Sequence, residues 1–224
     1  MQNQDEQNNA GERINEFIQK HRKPIFVSAG AIVLLLAICI AAFFIMDVVR
    51  GKAIEAVEEL NTRYEALRPS INEEYSAEDL ASLIADLEAF AKRNTGYAGG
   101  RALAIAGGIY SEKKEWAEAE AAWASAAKAA GKNYLTPVAW FNAGAAAEEQ
   151  GKTEDAIAYY TSSITFPAGF AAAPRAQFSI GRLLESLNDE AAAIEAYRAV
   201  ISGWPQDAVW NNLAHSRIVA LEAK

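Results

Sequence analysis

The tripeptide Gly151-Lys152-Thr153 is the strongest candidate for chemistry in this chain, because it is similar to the end of a phosphate-binding loop. In such a loop, glycine backbone groups and the lysine hold the phosphates of a nucleotide. The loop also needs a glycine five residues earlier, where this chain has Ala146, and it follows a strand. Since the tripeptide lies between two predicted helices, we interpret it as a turn.

Three acidic pairs have residue types suited to general acid and base catalysis: Glu148-Glu149, Glu154-Asp155 and Asp189-Glu190. Two of them open predicted helices, where the helix dipole favours negative charge, and the third precedes a turn. His215 has no histidine or cysteine near it in the sequence, and Cys39 is the single cysteine of the chain. We therefore predict no catalytic residue, no metal site, no cofactor and no small-molecule substrate.

The composition favours helices. Alanine accounts for 48 of the 224 residues, which is unusual for a protein built mainly from sheet. The formal net charge is −8, and it lies in residues 51–224, because residues 1–50 contain five acids and five bases. Phosphate binding draws on clustered lysine and arginine, so this acidic balance argues against nucleic acid as a partner.

An uncharged segment, residues 24–46, is long enough to cross a bilayer. It is apolar on every side, whereas a buried core helix of this length usually has a polar stripe. A cleaved signal peptide is the main alternative, but its apolar region is normally shorter. We predict a transmembrane helix over 24–46 that contacts the lipid bilayer. The polar residues 1–23 before it are predicted to form a short disordered cytoplasmic tail.

Basic residues on either side of the segment indicate its orientation. Four precede it and two follow it: Arg13, Lys20, Arg22 and Lys23, then Arg50 and Lys52. The excess favours an amino terminus inside the cytoplasm. Residues 51–224 are then expected outside it, which in a bacterium means the periplasmic side of the inner membrane.

Similar residues recur at intervals of 37 in the second half of the chain. The three clearest columns are a glycine, an alanine and an aromatic residue: Gly107, Gly144 and Gly181; Ala119, Ala156 and Ala193; Trp123, Tyr160 and Tyr197. A fourth column, Leu103, Trp140 and Gln177, is weaker because glutamine replaces a large apolar residue. Each unit is predicted to be two helices joined by a short polar turn, with these residues packing the helices together.

These columns resemble the tetratricopeptide repeat, in which a small residue lies where the paired helices cross and an alanine precedes a bulky aromatic residue. The matching stretches include Trp140-x-x-Ala143-Gly144, Ala156-x-x-x-Tyr160 and Ala193-x-x-x-Tyr197. The family period is about 34 residues, so about three residues per unit are extra. The glycine-to-alanine interval is 12 in every unit, so we place the surplus between pairs, in 131–137 and 166–174.

The resemblance predicts an all-α fold, an α-solenoid of about three and a half helix pairs after one transmembrane helix. Residues 47–99 are expected to form a helical stalk and a degenerate first repeat, broken at Pro69 and Ser70. Residues 100–205 form three repeats and 206–224 a capping helix. The predicted helices run over 48–67, 77–93, 97–112, 115–130, 137–150, 153–165, 174–187, 189–203 and 206–222. In the last helix, Trp210, Leu213, Ala214, Ile218 and Leu221 are expected on the buried side.

In tetratricopeptide arrays the first helix of each pair lines a groove that binds other proteins. By analogy, the candidate groove residues are Arg101, Phe141, Asn142, Glu148, Arg175, Phe178 and Arg182. Phe141 and Phe178 can equally complete the core between helices. Only Asn142 and Arg175 fit the pattern that chaperone-binding members use to clamp a carboxylate, so that specialisation is disfavoured.

The resemblance implies a protein-binding scaffold that is not an enzyme. The chain order, a short tail, then one membrane span, then a repeat region, is similar to that of the ancillary subunit family of the bacterial Sec translocon. That likeness implies secreted chains, the translocon or periplasmic chaperones as partners. The stretch 197–220 is also similar to envelope tetratricopeptide proteins that coordinate cell division, wall synthesis or outer-membrane assembly. The sequence leaves both roles open.

Overall fold

The computed structural model describes residues 2–68, 77–166 and 169–223. These ranges contain α-helices and no strand. The helices are α1 (Gln2–Leu67), α2 (Ala77–Arg93), α3 (Gly96–Glu112), α4 (Trp116–Ala130), α5 (Leu135–Glu149), α6 (Thr153–Ile164), α7 (Ala173–Ser186), α8 (Glu190–Gly203) and α9 (Ala208–Glu222). Helices α2 to α9 begin and end within two residues of their predicted bounds. The predicted break at Pro69 and Ser70 lies outside the described residues.

The chain divides into two compact units, residues 1–52 and 53–224. The first unit is helical from Gln2 onward, whereas the polar composition predicted a disordered tail over residues 1–23. Extending an existing helix costs much less than nucleating a new one, which accounts for helix beyond the apolar segment. The described side chains of 26–46 are all exposed, and their helix is long and apolar enough to cross a membrane.

The second unit begins with a core shared by residues 53–67, α2 and α3. Val57, Leu83 and Leu87 are fully buried there beside Ala102 and Ile109. This shared core joins the helical residues before the first clear repeat to the first helix of that repeat.

Three helix pairs follow, α3–α4, α5–α6 and α7–α8, and α9 packs on α8. Each pair is joined by the same three-residue turn, whose middle residue is Lys114, Gly151 or Asn188, again 37 apart. These residues have φ of 60°, 72° and 61°, the left-handed region that glycine and asparagine tolerate best. Gly151-Lys152-Thr153 is therefore a helix-to-helix turn, as the sequence predicted.

The surplus of about three residues per repeat is placed differently in the first two pairs. In the first pair it lengthens α4, which has 15 residues against 12 in α6, and only four residues connect α4 to α5. Helix α5 therefore begins at Leu135, and Pro137 lies in its first turn, where a missing N–H costs nothing. In the second pair the surplus lies in the longer connection between α6 and α7, which includes residues outside the described ranges.

Helix α9 differs from its prediction at Leu213. Trp210, Ala214, Ile218 and Leu221 pack against α8 or lie in the core, as expected. Leu213 is 44% exposed. It precedes Ala214 by one residue, which is a rotation of about 100° around the helix axis, so it points away from the buried side that Ala214 and Ile218 share. Val209 and Val219 are also exposed, so the outer face of this end helix is partly apolar.

Candidate protein-binding surface

Each helix pair is held by an aromatic ring that lies directly against a glycine. A Cβ atom built on Gly107, Gly144 or Gly181 would lie 2.9, 2.9 or 2.6 Å from the nearest ring atom of Trp123, Tyr160 or Tyr197. Real Cβ atoms do not approach that closely, so a side chain larger than hydrogen would push the ring away. The ring that lies against each of these positions therefore explains why glycine recurs there.

The alanine column lies at the start of each second helix. Ala119, Ala156 and Ala193 are completely buried, and each donates its N–H to the residue that caps its helix, at 2.9 Å. The methyl groups leave room for the preceding first helix to pack closely.

A polar column that the 37-residue pattern did not predict accompanies the rings. Trp123 Nε1 donates to Ser111 Oγ at 3.1 Å, Tyr160 to Glu148 at 3.1 Å, and Tyr197 to Glu185 at 2.8 Å. Ser111, Glu148 and Glu185 are again 37 apart. Each ring therefore buries its apolar body while its polar tip keeps a hydrogen-bond partner.

The two glutamates of this column also bind an arginine from the next first helix. Arg182 Nη2 lies 2.5 Å from Glu148 Oε1, and Arg217 forms an ion pair with Glu185. Glu148 and Arg182, two of the predicted groove residues, are therefore brought together across the α5–α7 junction. The ion pair between Glu148 and Arg182 was not predicted, because a contact between residues 34 positions apart has no signal in a single sequence.

Phe141 and Arg175 form a mixed aromatic and cationic surface where α5 meets α7. The Phe141 ring lies 5.3 Å from Tyr160 and 5.8 Å from Phe170, measured between ring centroids. The exposed Arg175 guanidinium lies 5.2 Å above the same ring, within the range of a cation–π contact. Phe141 is half-buried, so its inner edge contributes to packing while the rest remains accessible.

Phe178 repeats this arrangement one unit later. Its ring lies 5.2 Å from Tyr197 and 5.4 Å from Trp210 of α9, so it too contacts the tyrosine of its own pair and a residue that follows that pair. Arg101 and Asn142 stand apart from these two clusters. Arg101 bonds to Glu58 and Asn61 of α1 at 3.3 and 3.2 Å, and the Asn142 amide donates within its own helix to Val138.

Burial and the neighbouring carboxylates change the acidity of the ring hydroxyls. Burial raises the pKa of Tyr197 most, and the hydrogen bond and charge of Glu185 raise it further, to about 12. The pKa of Tyr160 is also raised, first by burial and then by Glu148. Both hydroxyls therefore stay protonated at neutral pH, as hydrogen-bond donors to the two glutamates.

Two of the three acidic pairs lie where α8 and α6 begin. Asp189 caps α8 by accepting from the Ala192 N–H at 3.1 Å, and Glu154 and Asp155 lie in the first turn of α6. Within 2–68, 77–166 and 169–223, no three histidine, cysteine or acidic side chains are grouped to hold a metal ion.

Comparison with known proteins agrees with this geometry. The family described as Tetratricopeptide repeat matches residues 137–167 and 174–202, which cover nearly all of α5–α6 and of α7–α8. A protein of Treponema pallidum (strain Nichols) named TPR repeat-containing protein is 29% identical to this chain over 93% of each. The chain therefore contains tetratricopeptide repeats in an all-α fold of the α-solenoid class.

Proposed function

We propose that this protein is a membrane-anchored scaffold whose repeats bind other proteins on the periplasmic side of a bacterial inner membrane. The long apolar helix supports the anchor, and the excess of basic residues before it supports an outward-facing repeat region. Tetratricopeptide repeats support protein partners, since these repeats generally serve as non-enzymatic interaction scaffolds.

The observation that carries the binding proposal is the surface formed by Phe141, Arg175, Phe178 and Arg182. Two half-buried rings lie on the first helices, held in place by packing; the exposed guanidinium of Arg175 lies over Phe141, and the exposed Arg182 is paired with Glu148. Aromatic and arginine side chains dominate the energetics of many protein interfaces, where they occupy well-packed positions from which water is excluded. The Phe141 and Phe178 rings serve both as part of the core and as the floor of the groove.

The partner proposed first is the secretion translocon, with this protein as an ancillary or chaperone-linking subunit. The order of one apolar helix and a repeat region supports that role. A scaffold for cell division, wall synthesis or outer-membrane assembly is the alternative outcome of the partner test.

The orientation is tested with single cysteines, because Cys39 is the only native one. The Cys39→Ser chain is given a cysteine at the exposed Lys132 or, as a control, at Lys20. In intact cells, a membrane-impermeant maleimide that enters the periplasm is expected to label position 132 and to spare position 20. The reverse pattern would refute the orientation. A mature mass that lacks residues 1–46 would refute the anchor.

The partner is tested by photo-crosslinking in the native membrane. A benzophenone amino acid at Arg175 is expected to trap a partner, whereas the same group at Glu154, an exposed position in the first turn of α6, is the matched control. Translocon subunits or secreted chains in the Arg175 product support the first role, and division or wall-synthesis proteins support the second. Equal products from both positions would refute a specific groove.

A further inference from the structure

A cleft of about 450 Å³ lies between α2 and α4, with α3 as its floor. Its lining is mainly apolar, including Ala91 of α2, Leu103 of α3 and Ala122 of α4. This volume is within the range of pockets that hold a small ligand or one large side chain.

The cleft is separate from the proposed groove. On α3 the cleft is lined by Leu103, Ala106 and Tyr110, whereas the groove positions by analogy begin at Arg101. A helix turns about 100° per residue, so Leu103 and Arg101 point about 160° apart. A ligand in the cleft would therefore contact the face of the repeats that the groove does not use.

The second repeat shows what fills the equivalent space. Trp140 and Tyr159 are the residues 37 positions after Leu103 and Ala122, and their rings stack at 5.5 Å with 17° between planes. Tyr159 also donates to Glu120 of the preceding α4 at 3.2 Å. The first repeat has Leu103 and Ala122 at these two positions, which are smaller than tryptophan and tyrosine, and both line the open cleft.

The charges at one end of the cleft are mainly acidic. Glu88 and Glu118 line it, and Tyr110 donates to Glu88 at 3.5 Å. Burial raises the pKa of Tyr110, and the negative charges of Glu88 and Glu118 raise it further. Lys92 also lines the cleft, so the lining has two carboxylates and one cation.

We propose that this cleft binds an aromatic side chain of a partner protein, from a segment that has lysine or arginine beside the aromatic residue. The stacked pair of the second repeat defines the ring-shaped space, and the acidic end selects basic neighbours. The proposal shares with the proposed function only the premise that the repeats bind proteins, and it uses different residues.

The probe is the peptide acetyl-Ala-Lys-(5-fluorotryptophan)-Lys-Ala-amide, followed by fluorine NMR with the full chain in phosphatidylcholine nanodiscs. Empty nanodiscs correct for lipid binding. We expect saturable line broadening with a dissociation constant on the order of 1 mM or below, as befits one buried side chain. The same peptide with glutamate in place of both lysines should bind at least about fivefold more weakly, because of the acidic rim.

Filling the cleft should abolish binding. Leu103→Trp with Ala122→Tyr recreates the aromatic pair of the second repeat, and Ala122→Tyr alone serves if the double variant loses its helical signal. The matched control is Ala158→Tyr, which adds the same ring at an exposed position on α6. Glu88→Gln with Glu118→Gln should remove most of the preference for the lysine peptide while leaving a folded chain.

Three outcomes would overturn the proposal: no saturable binding, equal affinity in the filled variant, or equal affinity for the two peptides. Self-association that the filled variant lacks, without peptide binding, would assign the cleft to a second copy and also overturn it. Arg175→Glu should not change peptide binding, so failure of the groove and failure of the cleft can be told apart.

Discussion

Gly107 and Gly108 are neighbours in α3, yet the structure predicts opposite effects when each is changed to alanine. A Cβ at Gly108 would lie 4.0 Å from the nearest atom of Trp123, an ordinary contact, whereas a Cβ at Gly107 would lie 2.9 Å from two atoms of the same ring. The two variants share helix, neighbourhood and chemical change. Each is therefore the control for the other.

The magnitudes follow from three contributions. Alanine stabilises a helix interior relative to glycine by about 0.5–1 kcal/mol, which applies to both variants. At Gly107 the indole must shift, and overpacking of this kind costs about 1–3 kcal/mol. The shift also disturbs the hydrogen bond from Trp123 to Ser111, worth about 0.5–1.5 kcal/mol. We expect Gly108→Ala to be stabilised by about 1 kcal/mol and Gly107→Ala to be destabilised by about 1–3 kcal/mol.

The assay is urea unfolding of the full chain in nanodiscs, followed by tryptophan fluorescence and by circular dichroism at 222 nm. If the free energy of unfolding depends on urea concentration with a similar slope in both variants, the same structure unfolds in each. In thermal unfolding, each kcal/mol should shift the melting temperature by about 2–4 °C for a domain of this size. If Gly107→Ala is as stable as Gly108→Ala, the contact between ring and glycine does not hold the helix pair together.

Three further predictions concern the polar contacts of the repeats. Glu185→Ala removes the acceptor of the Tyr197 hydroxyl and of Arg217, so the free energy of unfolding in urea should fall by about 1–3 kcal/mol. The control is Glu195→Ala, which breaks an exposed ion pair and should lower that free energy by less than about 0.5 kcal/mol. Burial alone would raise the pKa of Glu120, but hydrogen bonds from Lys152, Gln150 and Tyr159 outweigh it and hold the pKa below its ordinary 4.5. The free energy of unfolding should therefore fall as the pH drops below about 4.5. Glu120→Gln should lessen that acid dependence, measured by urea unfolding at pH 3–7. The raised pKa of Tyr197, about 12, predicts that stability is full below pH 10 and is lost as pH rises toward 12, and Tyr197→Phe should lessen this loss in unfolding curves at pH 9–12.

Most of the fold could be predicted because the sequence repeats itself. Gly107, Gly144 and Gly181 identify where helices cross, and the constant interval of 12 to the alanine column fixes the turn between them. The predicted ends of the six repeat helices, α3 to α8, consequently lie within two residues of the observed ends. The prediction for Leu213 was wrong because the side of α9 that packs against α8 follows Ala214 and Ile218, about 100° around the helix from Leu213. A helical pattern alone does not show which of these two sides packs against the neighbouring helix.

The candidate surface was less predictable because its contacts join residues in different pairs. Arg175 and Phe178 were chosen by analogy with first-helix positions, but the contact of Arg175 with Phe141 depends on how α5 and α7 cross. Arg101 was placed in the groove by the same analogy, whereas the structure pairs it with Glu58 of α1. A single sequence contains no signal for such pairings.

The junctions between helix pairs use two alternative carboxylates, which explains where the repeat departs from strict periodicity. In the first pair, Glu120 of α4 accepts hydrogen bonds from Gln150, Lys152 and Tyr159, and so links α4 to the next pair. The residues 37 and 74 positions later are Ile157 and Ile194, which instead pack against the core.

In the later pairs the linking carboxylate lies on the first helix. Glu148 and Glu185 replace Ser111, and each receives an arginine from the following first helix, whereas the residue 37 positions before Arg182 is Ala145. Because neighbouring repeats stabilise one another through such interfaces, each junction needs a link but not the same one. At the first junction Ser111 occupies the position of the linking glutamate, and Glu120 supplies the carboxylate from α4 instead. This exchange between Glu120 and the Glu148–Glu185 column accounts for sequence variation that the simple 37-residue repeat leaves unexplained.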